Sequence, residues 1–177
     1  NVTIPGQIHS VALQTNGKAI IAGDFSQLNG LPRKSIARIN ADGTPDMTFD
    51  PGTGFNSPPS RVIVQADGKI LAIGGFSTFN GVSRSYLTRL NADGSLDSAF
   101  NPIVTTTTTP PVTEISLQAD QKILIVGYFT GINGTARTGV ARLNADGSLD
   151  AAFNPIFAGS NLYSVVQQAD AKVMVGG

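Results

Sequence analysis

The sequence predicts an all-β chain assembled from repeats of about 51 residues. Three observations carry that expectation. A six-residue turn motif recurs three times: Ala41-Asp42-Gly43-Thr44-Pro45-Asp46, Ala92-Asp93-Gly94-Ser95-Leu96-Asp97 and Ala145-Asp146-Gly147-Ser148-Leu149-Asp150. Short apolar runs bounded by turn residues stand at the same offsets from it each time. No stretch keeps helical periodicity over even three turns.

A second signature opens each repeat. Asn16-Gly17-Lys18 matches Asp67-Gly68-Lys69, Asp120-Gln121-Lys122 and Asp170-Ala171-Lys172, with lysines 51, 53 and 50 residues apart. From lysine to closing phenylalanine the distance is constant: Lys18–Phe49, Lys69–Phe100 and Lys122–Phe153 are each 31 residues. All length variation therefore falls in the connections, which are rich in Pro, Thr and Gly. Loops tolerate such change and packed strands do not. The run Thr105–Thr109 reads as an extended exposed connector, with an O-linked sugar acceptor as the alternative.

The elements follow in order. Val11–Gln14, Val62–Gln65 and Ile115–Gln118 are first strands that end at an Asx-Gly type turn. Ala19–Ala22, Ile70–Ile73 and Ile123–Val126 come next and are apolar on both faces, which predicts strands buried on both sides. Gly23, Gly74 and Gly127 then mark a bulge or a close backbone approach. A loop carries Asn29-Gly30, Asn80-Gly81 or Asn133-Gly134. Third strands are Ile36–Ile39, Leu87–Leu90 and Val140–Leu143, and a short fourth edge strand is expected to end at Phe49, Phe100 or Phe153.

Three or four short strands around a doubly buried inner one describe a propeller blade, so the fold expected is a β-propeller; a β-solenoid or open repeat array is the alternative. The repeats fall at 1–60, 61–112, 113–163 and 164–177, giving three units and half of a fourth. This predicts a piece of a larger propeller, completed by further blades of the same chain or of other copies.

The residues resemble the delta-60 type β-propeller repeat of large bacterial surface or secreted proteins. Residues 61–102 carry its pattern: Gln65-Ala66-Asp67-Gly68-Lys69, Gly74-Gly75-Phe76, Arg89-Leu90-Asn91-Ala92-Asp93-Gly94-Ser95-Leu96-Asp97 and Phe100-Asn101. The resemblance implies a propeller-like fold and an extracellular or cell-surface setting. It brings no catalytic or binding residues. Gln121 and Ala171 depart from it where a turn glycine is expected.

Composition narrows the function. Twelve basic and twelve acidic residues balance, and charged residues are only 14% of the chain, which argues against nucleic acid as a partner. The absence of cysteine removes disulfides and thiolate chemistry. No apolar run approaches a membrane span, so membrane insertion is not expected. Most charges recur: Lys18, Lys69 and Lys122; Arg38, Arg89 and Arg142; Asp42, Asp93 and Asp146; Asp46, Asp97 and Asp150. Residues used once per repeat read as structural. Asn91–Asp97 resembles part of a calcium loop, but Arg89 stands where another acid is needed and could pair with Asp93 or Asp97 instead. No metal site, cofactor or catalytic residue is expected. The single His9 reads as a surface or capping residue.

Candidate binding residues are those that break the repeat. Asp24, Gly75 and Tyr128 share one position beside the inner strand, and Lys34, Ser85 and Thr138 share another. Tyr86 and Phe55 are unrepeated aromatics. Asp24, Tyr128, Tyr86 and Lys34 are accordingly the residues expected to meet a protein or carbohydrate partner. The function expected is a non-catalytic scaffold that displays binding loops. The alternatives are a structural repeat of an extracellular fibre, filament or phage-like appendage, and an enzyme with its site outside this segment.

Overall fold

The computed structural model describes residues 3–156, 162–168 and 170–177. Residues 1, 2, 157–161 and 169 lie outside the described residues, and with them the opening of the first expected repeat and parts of the third and fourth. Every element described is a strand, and no helix long and apolar enough to cross a membrane occurs among these residues. The chain divides into two compact units, Asn1–Ser98 and Ala99–Gly177.

In the first unit, β1 (Gly6–Leu13), β2 (Ala19–Phe25) and β5 (Ile36–Ile39) form one antiparallel sheet with β2 in the middle. A second sheet repeats this with β6 (Pro59–Val64), β7 (Ile70–Gly74) and β10 (Leu87–Leu90). The inner strands are buried on both faces, as their sequence requires. Ile20 and Ala22 point into a core shared with Val62, Ile70 and Ala72 of the second sheet. Ile21 points the other way, toward Phe25, Leu28 and Ala37. One strand thus feeds two cores through its period of two. Phe55, an unrepeated aromatic, is fully buried. Its ring lies 4.6 Å from that of Phe76 and 4.8 Å from that of Phe79.

The second unit contains the sheet β12 (Val112–Leu117), β13 (Ile123–Gly127) and β16 (Val140–Leu143). β11 (Val104–Thr106) pairs with β14 (Phe129–Ile132), which also pairs with β15 (Thr135–Ala136). The threonine run is therefore strand as far as Thr106 and exposed from Thr107 to Thr109. The pair β17 (Ser164–Gln167) and β18 (Val173–Gly176) packs Val165 against Leu124, Val126 and Val140.

The expected bulge glycines have one geometry. Gly23, Gly74 and Gly127 face Ile8, Pro59 and Val112, and immediately after each pair the register slips by one residue. A Cβ on Gly23 would overlap the Gln7 carbonyl oxygen, and one on Gly127 that of Pro111. The residues skipped are His9, Ser60 and Thr113, and their side chains cap carbonyls. His9 Nδ1 bonds Pro59 O at 3.2 Å, so Nδ1 carries the hydrogen. Thr113 Oγ1 donates to Val126 O at 3.1 Å and Leu162 O at 2.7 Å. In both cases the bulged residue ties its sheet to the backbone that leads into the next one.

Two expectations are corrected. The Asn-Gly loops are two-residue hairpins rather than open loops: β3 (Gln27–Leu28) pairs with β4 (Leu31–Pro32), and β8 (Thr78–Phe79) with β9 (Val82–Ser83). Asn29 and Gly30 have φ of 49° and 78°, the left-handed pair a type I′ turn requires. The fourth strand is reduced to single bridges, Ile39–Pro45, Leu90–Leu96 and Leu143–Leu149. Beyond the first of these the chain coils, because Asp46 Oδ1 accepts the Thr48 N–H at 2.9 Å and holds it out of any ladder.

Where glycine is missing from the first turn, the backbone does not change to suit. Gln121 sits at φ 66° and Ala171 at φ 67°, against 80° and 83° for Gly17 and Gly68. An L-residue in this region carries roughly 1–2 kcal/mol of strain. Gln121→Gly should therefore raise stability by about 0.5–1 kcal/mol after the flexibility it adds to the unfolded chain is subtracted, measured as an increased urea midpoint. A lowered midpoint would show that Gln121 is held by other contacts.

Candidate functional site

The repeated charges form one cluster per repeat. Asp46 Oδ2 receives Lys18 Nζ at 2.6 Å and Arg38 Nε at 2.7 Å. Asp97 receives Lys69 and Arg89, and Asp150 receives Lys122 and Arg142, all at 2.8 Å. Lysine comes from the start of the inner strand, arginine from the third strand and aspartate from the turn beyond it. Each nitrogen of the Arg38 guanidinium donates: beside the Asp46 bond it reaches Thr48 Oγ1 at 2.9 Å and Ala92 O at 2.6 Å, and it lies 5.1 Å from the Phe49 ring centroid. Arg89 thus pairs with Asp97. Asp93 Oδ1 instead accepts the Ser95 N–H and hydroxyl at 2.9 and 2.7 Å, and Asp42 and Asp146 do the same with Thr44 and Ser148. In the calcium-like motif these oxygens are occupied by protein donors.

Burial alone would push the Asp46 and Asp97 carboxyls up, but bonds from the lysine and arginine, joined at Asp46 by those from the Thr48 hydroxyl and N–H, outweigh it and hold both below the usual carboxylate range. At Asp150 the Lys122 bond is the largest influence and acts in the same direction. A depressed carboxylate contributes stability above its unfolded pKa of about 3.9 and loses it as pH falls toward the folded value.

The candidates that break the repeat occupy three places. Asp24 and Lys34 line one cleft of about 260 Å³ in the first unit, with Pro5, Ser26, Asn56 and Pro58 around its mouth. Phe25 and Ser35 form its floor, being 4% and 3% exposed. Among the described residues, these two are the charged side chains with no hydrogen bond or ion pair; every other charge has a partner. The Asn56 side chain is largely engaged, donating one hydrogen to Ser77 Oγ and accepting the Ser77 and Thr78 N–H groups.

Tyr86 does not join them. It is half-buried at φ 70°, donating its N–H to Phe76 O at 3.0 Å. Ser35, at φ 66°, holds the same backbone position in the first repeat. Tyr128 lies in the second unit, edge-on to Tyr163 with centroids 6.0 Å apart. Donation of its hydroxyl hydrogen to Tyr163 raises its phenol pKa. A larger cleft of about 360 Å³ lies between the first two turns, lined by Gln14, Asn16, Gln65 and Asp67. It is built from repeated positions, and its Gln14 and Gln65 carbonyl oxygens are shut off from solvent. The meeting of Asp24 and Lys34 in one cleft was not readable from spacing, since the nine residues between them include a hairpin whose strands are too short to show periodicity.

Removing Asp97 tests the cluster. Asp97→Ala takes the carboxylate away from the buried Arg89 and should cost about 3 kcal/mol, read as a lowered denaturant midpoint. The wild-type chain should also lose stability as pH drops below about 4, and Asp97→Asn should show a shallower loss over that range. An unchanged pH profile in Asp97→Asn would remove the cluster from this role.

A comparison with curated proteins returns no match. A family model described as "Domain of unknown function (DUF5122) beta-propeller" matches residues 14–49, 65–100 and 118–153. These stretches begin at the turn glutamine and end at the closing phenylalanine, and so contain each charge cluster whole. Together they cover more than half of the chain, which therefore belongs to the DUF5122 β-propeller repeat family.

Proposed function

We propose that the chain is a non-catalytic propeller scaffold that displays loops for recognition of protein or carbohydrate, in a surface or secreted protein. The observation that carries this reading is the Asp24–Lys34 cleft. Charges in a scaffold are paired off within it, and these two are not. They also stand where the other repeats have Gly75 or Tyr128 and Ser85 or Thr138, so the site occurs once rather than once per repeat. Exposed charges held ready in and beside packed strands suit recognition, because little order must be gained on binding.

Catalysis is a poorer fit. Acid–base chemistry of the glycosidase kind requires two carboxyl groups facing one substrate, and Asp24 is the one carboxylate lining this cleft. Asp50, an acid in the connection after the first repeat's closing phenylalanine, is engaged with the Gly52 N–H at 3.0 Å. The surface or secreted setting rests on the resemblance to repeats of bacterial surface proteins.

The reading predicts a ligand on protein or glycan arrays. Binding should fall at least tenfold in the double variant Asp24→Ala/Lys34→Ala, while the thermal midpoint stays within about 2 °C because both positions are exposed. Binding that the double variant leaves intact would move the site elsewhere on the molecule.

A further inference from the structure

We infer that the Asp24–Lys34 cleft takes a single neutral sugar residue through a pair of vicinal hydroxyls; this rests on the recognition reading above and narrows it to one ligand class. The polar inventory of the cleft is mixed. The Asp24 carboxylate offers two acceptor oxygens, and the Lys34 ammonium three donors. Ser35 is 3% exposed and its hydroxyl has no protein partner. The Ser26 hydroxyl is likewise without one. A vicinal diol can donate two hydrogen bonds to one carboxylate while a ring or hydroxyl oxygen accepts from the lysine. Pro5 and Pro58 supply apolar walls suited to the C–H face of a pyranose.

Other ligand classes meet obstacles on the same surface. A phosphate, sulfate or uronic acid would face the unpaired Asp24, and a cation the unpaired Lys34. An extended peptide would find no strand edge. Phe25 pairs with Gly6 on one side, and on the other its carbonyl accepts the Ser35 N–H at 2.9 Å. Strand addition needs exactly such groups left free. At about 260 Å³ the cleft lies below the roughly 300 Å³ at which drug-sized ligands are accommodated. One ring fits that size better than an oligomer. Contact with one ring implies weak monovalent affinity, roughly millimolar.

The test uses the whole chain. Affinity electrophoresis in gels containing neutral dextran, mannan or galactan is paired with amide NMR titration of the corresponding methyl glycosides. The expected result is retardation by at least one neutral polysaccharide, with shifts at Phe25, Ser26 and Ser35. Asp24→Asn and Lys34→Gln should each weaken it at least tenfold, and Asp67→Asn, in the other cleft, should leave it unchanged. Retardation indifferent to Asp24→Asn and Lys34→Gln overturns the inference, as do shifts that map elsewhere. A charged peptide or acidic glycan that binds this cleft when neutral sugars do not overturns the sugar inference and leaves the recognition reading standing. Failure of neutral sugars, acidic glycans and peptide arrays alike removes both.

Discussion

One buried carboxylate per repeat fixes the geometry of everything around it. Asp46, Asp97 and Asp150 each hold a lysine 28 residues back and an arginine 8 residues back. The aspartate thus ties the first turn to the third strand and the turn beyond it. A buried ion cluster is costly unless every charge finds partners, and an insertion anywhere between lysine and aspartate would pull one away. This explains why the lysine-to-phenylalanine distance is invariant while the connections are not. In the first repeat the same arginine reaches a carbonyl of the second, Ala92. The cluster therefore governs packing between repeats as well as within one.

The bulges complete that coupling from the other end of the strand. His9 and Thr113 are pushed out of register and so are free to turn their side chains onto the backbone that leads into the next sheet. The aspartate-glycine turns contribute a third contact, for Gly94 and Gly147 lie where a Cβ would press on Asp50 and on the Phe100 ring. Turn glycines here serve proximity as much as conformation. Each repeat is thereby fastened near both ends of its inner strand, which leaves the exposed rim between those points to carry variation such as Asp24 and Lys34.

Repetition made most of this legible. Inner strands, bulge glycines and the pairing of Arg89 with an acid follow from residues that recur at fixed offsets. What did not recur, or was too short to have a period, was harder to read. The hairpins at Asn29, Asn80 and Asn133 have strands of only two residues beside the turn in the first two repeats. The expected fourth strand failed because an aspartate side chain competes with the ladder for a backbone N–H, which patterning of apolar residues does not register. Phe55 looked variable because it lies in a connection, yet it closes a core. Asp24 and Lys34 were legible singly as breaks in the repeat, whereas their meeting in one cleft depends on how the hairpin between them folds.

The hairpin asparagines have a consequence for how such chains diversify. Asn29, Asn80 and Asn133 grasp the incoming connection through main-chain atoms: Asn29 takes the Thr3 N–H, Asn80 that of Thr53 and Asn133 that of Ile103, and each returns its own N–H to a carbonyl there. A grip on the backbone is indifferent to which side chains pass through it. Connections can be lengthened, shortened or rewritten upstream of that point while the strand that follows still enters in register. The same family architecture can in this way acquire new surfaces without renegotiating its interior.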